Sequence, residues 1–128
     1  MSELRNQVMW HRLISIVEEQ ALALVRGAFS TSVREAGDLS AGIYATDGRM
    51  IAQAITGTPG HANTMAAAVA NFIEDIGPHR IYEGDAYITN DPWKGTGHLH
   101  DFTVVTPVCR RDHLIGYFGC TAHVVDVG

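Results

Sequence analysis

Two apolar runs rich in β-branched and aromatic residues, 102–108 and 114–120, flank a charged segment, Cys109-Arg110-Arg111-Asp112-His113, near the C-terminal end of this chain. That pattern predicts a β-hairpin with its turn near Arg111. With the turn there, antiparallel pairing sets His123 opposite Leu99 or His100, and cross-strand neighbours lie roughly 5 Å apart. His123 then comes within reach of His98 and Asp101, which sit just ahead of the first strand. One hairpin would gather imidazoles and a carboxylate from distant positions, as a metal site requires.

The preceding residues supply what packs on such a hairpin. From Leu4 to Phe29, the residues Val8, Leu13, Ile16, Val17, Leu24 and Val25 recur at three- and four-residue steps, with Ser2 available as an N-cap. This predicts an amphipathic helix that packs on the core, with partner docking as the alternative role. Residues 30–38 are polar and predict a loop or a short helical turn. Asp47-Gly48 between the apolar runs 39–45 and 49–54 predicts a second hairpin. Residues 55–63 hold two glycines and a proline and end in His61, ahead of a shorter helix at Thr64–Ile76 that Gly77-Pro78 closes. A turn at Glu83-Gly84-Asp85 and a short strand lead to Asn90-Asp91-Pro92, where Gly95 and Gly97 permit a sharp approach of backbone to a ligand. The fold class expected is α+β: antiparallel β-hairpins packed with a long N-terminal helix and a second, shorter helix. One unit covers residues 1–128. Because 121–127 still reads as a strand, that unit is expected to be an incomplete portion of something longer.

The formal net charge of -5 is scattered rather than in runs, which argues against nucleic acid or a membrane surface as partner. No apolar run nears the roughly 18 residues that span a bilayer, and the N-terminus lacks a signal-peptide core. A cytoplasmic location is the resulting expectation. Cys109 and Cys120 could face each other across the hairpin, but without a secretory signal they are expected to be reduced thiols.

In an extended backbone His98 and Asp101 point to opposite sides, so their pairing needs a bend. Two imidazoles and one carboxylate leave positions open on a six-coordinate ion and suit Fe(II) or Mn, with Zn at lower coordination. The alternative is that these are surface or core histidines. Asp126 follows His123 by three residues and reads as a further ligand, an orienting partner or an edge charge. Asp91 is a spare carboxylate or only a turn residue, and His61 is either a site group or a solvated loop residue. His11, His79 and His113 read as surface residues. No phosphate-binding loop, dinucleotide fingerprint or nucleophile elbow is present, so any nucleotide would be bound by another polypeptide.

Residues 88–107, residues 120–128 and the earlier Thr56-Gly57-Thr58-Pro59-Gly60-His61 resemble the signature of the hydantoinase B family. That family includes the B-type components of ATP-dependent hydantoinases, the corresponding half of 5-oxoprolinase and the α subunits of acetone carboxylase. The resemblance implies a divalent metal (Mn, Fe or Zn) on His98, Asp101 and His123, with His61 and Asp91 as candidate catalytic proton carriers. It implies that His100, where the family usually has proline, is not a ligand. Val124, as in the carboxylase branch, stands where many members have a second histidine, and this blurs the choice of branch. The resemblance further implies a longer subunit in a hetero-oligomer with a hydantoinase A-like, actin-like ATPase that binds ATP. The expected reaction is hydrolysis of a small cyclic amide: hydantoin, N-methylhydantoin, oxoproline or lactam. Ketone carboxylation and a non-catalytic fragment are the alternatives.

Overall fold

The computed structural model describes residues 2–58 and 61–127. Pro59 and Gly60 of the glycine-rich loop, and Gly128, lie outside the described residues. Helix α1 spans Glu3–Gly27, and the Ser2 hydroxyl caps it by accepting the Arg5 N–H at 3.3 Å. Glu3 in the first turn and Arg26 in the last complement the helix dipole. A single helical turn, α2 (Thr31–Arg34), leads into β1 (Leu39–Tyr44), which pairs antiparallel with β2 (Met50–Gln53). Between them Gly48 takes φ 88°, its N–H donates to the Ala45 carbonyl at 2.9 Å, and the Asp47 carboxylate accepts the Arg49 N–H. Helix α3 (Ala62–Ile76) ends at Gly77, and a three-residue 3-10 turn, Pro78–Arg80, follows. Three strands complete the fold: β3 (Tyr87–Thr89), β4 (Asp101–Arg110) and β5 (His113–His123).

The strands form one five-stranded antiparallel sheet in the order β2-β1-β5-β4-β3. The expected α+β arrangement is therefore the observed one. Because side chains alternate across a strand, the sheet has two faces with separate cores. Val17 and Ala21 of α1 and Val33 of α2 pack with Leu39, Ala41, Ile43 and Ala52 on one. On the other, Met65 and Val69 of α3 pack with Tyr44, Val105 and Tyr117. Gly119 lets them close: a Cβ there would meet the Tyr44 ring at 2.9 Å and Met65 at 3.1 Å. Burying each large apolar side chain contributes about 1.5–3 kcal/mol.

Three details refine the expectations. Helix α1 overhangs: only Val17 and Ala21 are buried, while Val8 and Ile16 of its apolar stripe stay 48% and 46% exposed. Its periodicity marks a helix, but periodicity carries no information on how far the helix runs past the sheet. Cys120 lies opposite Val104 and Cys109 opposite Leu114, so the two thiols do not meet and both are free. The third detail is the register of the long hairpin. Its turn falls at Arg111 and Asp112, both at positive φ (51° and 64°), the backbone that two-residue hairpin turns favour. From there Arg110 pairs His113 and Cys109 pairs Leu114, but Val108 pairs Gly116, which leaves Ile115 as an extra residue in β5. That bulge carries His123 past His100, where an unbroken ladder would have left it, to a position opposite Asp101. No helix among the described residues is long and apolar enough to cross a membrane.

Candidate functional site

Asp101 opens β4 and His123 closes β5, and the bulge makes them direct cross-strand partners on the α3 face of the sheet. Asp101 is 2% exposed. Its Oδ1 lies 2.8 Å from His123 Nδ1, and its Oδ2 accepts the Thr96 hydroxyl at 3.1 Å. A buried carboxylate is costly unless its lone pairs are satisfied, and here two donors converge on it. With a hydrogen on Nδ1 directed at Asp101, the imidazole presents Nε2 as its lone-pair nitrogen, the orientation that metal-ligating and proton-accepting histidines use. A second carboxylate, Asp38, sits between α2 and β1 with its Oδ2 3.7 Å from the same Nδ1, while its carbonyl accepts the His123 N–H at 3.2 Å. His100 stacks on the His123 ring with centroids 5.5 Å apart.

His61 enters from the other side. It stands at the N-terminal end of α3, with its Nε2 3.9 Å from Asp101 Oδ2, and its Nδ1 is buried without a partner. The loop that delivers it is held at both edges. Glu18 of α1 accepts the N–H groups of Ile55 and Thr56 and the Thr56 hydroxyl. Burial pushes the Glu18 carboxyl up, but these hydrogen bonds outweigh it and keep it below its ordinary value. At the other edge Thr58 N–H donates to the Leu39 carbonyl at 2.7 Å. Gly57 is required between them, since it has φ 126° and a Cβ would lie 2.4 Å from that same carbonyl.

The remaining sequence candidates take other places. His98 is exposed, in the turn where its carbonyl accepts the Asp101 N–H at 3.2 Å. Asp91 is exposed and serves its own turn: its carboxylate accepts the Trp93 N–H at 2.9 Å, and its carbonyl accepts the Gly95 N–H at 2.7 Å. Asp126 is exposed beyond the end of β5, and His11, His79 and His113 are exposed as expected. Of the predicted residues, then, Asp101, His123 and His61 come together. Thr96 and Asp38 join them unforeseen, because each arrives from a loop whose path no local pattern fixes. The only hint for Asp38 was Gly37, which takes φ 65° just before it.

Among the described residues no group of three or more His, Cys, Asp or Glu side chains has the arrangement of a metal site. The donor set nevertheless suits a divalent ion in kind: a buried carboxylate, an imidazole with one ring nitrogen free of it, and a further imidazole on the adjoining turn. On its other side His123 borders a groove of about 790 Å³ between the end of α1 and β5, walled by apolar residues that include Leu24, Phe29 and Ala122. That volume is in the range of small-molecule sites.

The fold and site together define an α+β unit whose long hairpin carries a buried carboxylate bonded to a half-buried imidazole beside an apolar groove. The chain belongs to the hydantoinase B/oxoprolinase family, whose model matches residues 2–128. It is 32% identical over 121 residues to 5-oxoprolinase of Dictyostelium discoideum, covering 94% of this chain and 9% of that protein. To the putative B-type component of a D-/L-hydantoinase from Pseudomonas sp. (strain NS671) it is 26% identical, covering 95% of this chain and 21% of the relative. Among solved structures, nucleotide-free acetone carboxylase, described with the mechanism of ATP-dependent acetone carboxylation, superposes with TM-score 0.85 and 27% identity, over 95% of this chain and 16% of that one. The chain thus spans between 9% and 21% of the length of these relatives.

Proposed function

We propose that this chain forms part of the metal-dependent subunit of an ATP-dependent cyclic amide hydrolase. It would open a hydantoin, N-methylhydantoin, oxoproline or lactam ring together with an actin-like, hydantoinase A-type ATPase that holds the ATP, in the cytoplasm. The observation that carries the reading is the buried Asp101 carboxylate bonded to half-buried His123, set inside a match to the hydantoinase B/oxoprolinase family that runs the length of the chain. A relative named as the B-type component of a hydantoinase supports a partner of A type.

His98, Asp101 and His123 would hold a divalent ion (Mn, Fe or Zn), which when bound supplies Lewis-acid polarisation of a carbonyl and a water acidified toward a pKa of about 7. Asp101 fixes the His123 tautomer and ring orientation, and Thr96 fixes the Asp101 carboxylate. His61, with its Nε2 toward Asp101, is the group suited to hold or release a proton beside the pair. Asp91 is the second candidate for that work. The apolar groove beside His123 would exclude water around the ring. A second reading, ATP-dependent ketone carboxylation, is favoured by the likeness to acetone carboxylase.

The test supplies the full-length protein and its partner with ATP and either a hydantoin or oxoproline, or a ketone with bicarbonate. ATP consumption stimulated by the cyclic amide, and lost in His123→Ala, supports hydrolysis. Stimulation by the ketone alone moves the assignment to carboxylation. Lack of response to both, with His123→Ala indistinguishable from the parent, leaves a scaffold and removes the catalytic reading.

A further inference from the structure

One step in from Asp101 and His123, on the same face of the sheet, the cross-strand partners are Thr103 and Thr121, and the next strand adds Ser40 opposite Thr121. A row of three hydroxyls therefore crosses three central strands directly behind the carboxylate–imidazole pair. Thr103 is 0% and Thr121 1% exposed. The hydroxyl oxygens of all three are buried and have no hydrogen-bond partner. Buried hydroxyls are paired in the great majority of cases, because an unmade hydrogen bond leaves the cost of desolvation uncompensated. Three adjacent orphans on one row would be a heavy burden for the centre of a sheet.

Directly opposed residues stand roughly 5 Å apart. At that spacing two hydroxyls could bond each other directly, but none of the three does so here, and a single water can bridge a gap of that order. The Ser40 end of the row offers room. Ser40 lines a cavity of about 240 Å³ with Gln53, Thr56 and Thr58, beneath the loop that Glu18 holds. At the other end Gly95 covers Thr103 with no side chain, and a Cβ there would come within 3.7 Å of the Thr103 hydroxyl.

We propose that the Ser40–Thr121–Thr103 row is a binding site for ordered water, a hydrated seam running from the cavity under the 54–58 loop to the back of the Asp101–His123 pair. Each bridging molecule finds at least two polar partners, as buried water requires. The seam gives the site internal water independent of the groove on the other side of His123. It depends neither on the metal nor on the reaction proposed above.

The decisive comparison is Thr103→Val and Thr121→Val against Thr103→Ser and Thr121→Ser in the full chain, with thermal unfolding as readout. Bridging water predicts that each valine variant melts about 3–6 °C below the parent and also below its serine counterpart, which keeps the hydroxyl and loses only a buried methyl. Valine variants that melt at or above the parent temperature would overturn the proposal, since removing an idle buried hydroxyl relieves a cost. If a valine variant fails to fold, a high-resolution crystal structure of the parent decides. Water between at least two of the three hydroxyls upholds the seam, and hydroxyls satisfied by backbone carbonyls, with no water between them, refute it.

Discussion

At the residue scale the site turns on Asp101. It is the one buried acidic side chain among the described residues, and each of its oxygens faces a donor. Asp101→Ala would leave the Thr96 hydroxyl and the His123 ring N–H facing a void, and the expected loss is about 2–4 kcal/mol of unfolding free energy. Denaturant titration checks this, and a loss below about 1 kcal/mol would mean that water replaces the carboxylate at little cost. Asp101 was legible in the sequence because two features converged on it: its place three residues after His98 and a hairpin that returns His123. Thr96 was not legible. A threonine between two glycines in a turn carries no pattern, and only the folded path of 91–97 brings its hydroxyl to Asp101.

At the scale of elements, the β-branched and aromatic content of 102–108 and 114–120 made the long hairpin readable, and the charged segment located its turn. The Ile115 bulge was not readable, because one extra unpaired residue inside a strand leaves no mark in composition. It nonetheless decides which residue faces His123. A one-residue slip moves side chains to the opposite face, so an unbroken ladder would pair His123 with exposed His100 in place of Asp101. Equally unreadable was the tie between α1 and the 55–58 loop, since Glu18 and Thr56 are far apart in sequence. That tie has a pH signature. The Glu18 carboxyl lies below its ordinary value of 4.5 in the fold, so its contribution is fully present above that value and is lost as pH falls through the depressed folded value. Glu18→Gln should therefore melt lower than the parent at neutral pH. The two melting curves should converge as pH is lowered from about 5 to about 3. Curves that stay parallel through that window would assign the acid sensitivity elsewhere.

At the scale of the molecule, the sheet is covered on one face by α3 and on the other by the second half of α1, and the two cores meet only through the strands. The site lies where the longest pair of strands opens, the end of β4 and β5 farthest from their turn. Strand ends are where a sheet frays most readily, so a ligand that joins the start of β4 to the end of β5 would act on the stability of the whole unit. If His98, Asp101 and His123 hold a divalent ion only in the folded state, its binding adds RT ln(1 + [L]/Kd) to that stability, about 2.7 kcal/mol at a hundredfold excess over Kd. Mn(II) or Zn(II) should then raise the melting temperature of the chelator-treated chain, with the shift growing with ion concentration. Asp101→Ala and His123→Ala should abolish the shift, and His98→Ala should weaken it. An equal shift in parent and variants would trace the effect to scattered surface carboxylates, and no shift at millimolar ion would remove the metal from this part of the protein. The valines that probe the hydroxyl seam leave His98, Asp101 and His123 in place. The metal response should therefore persist in Thr103→Val and Thr121→Val, which separates the ion from the water behind it.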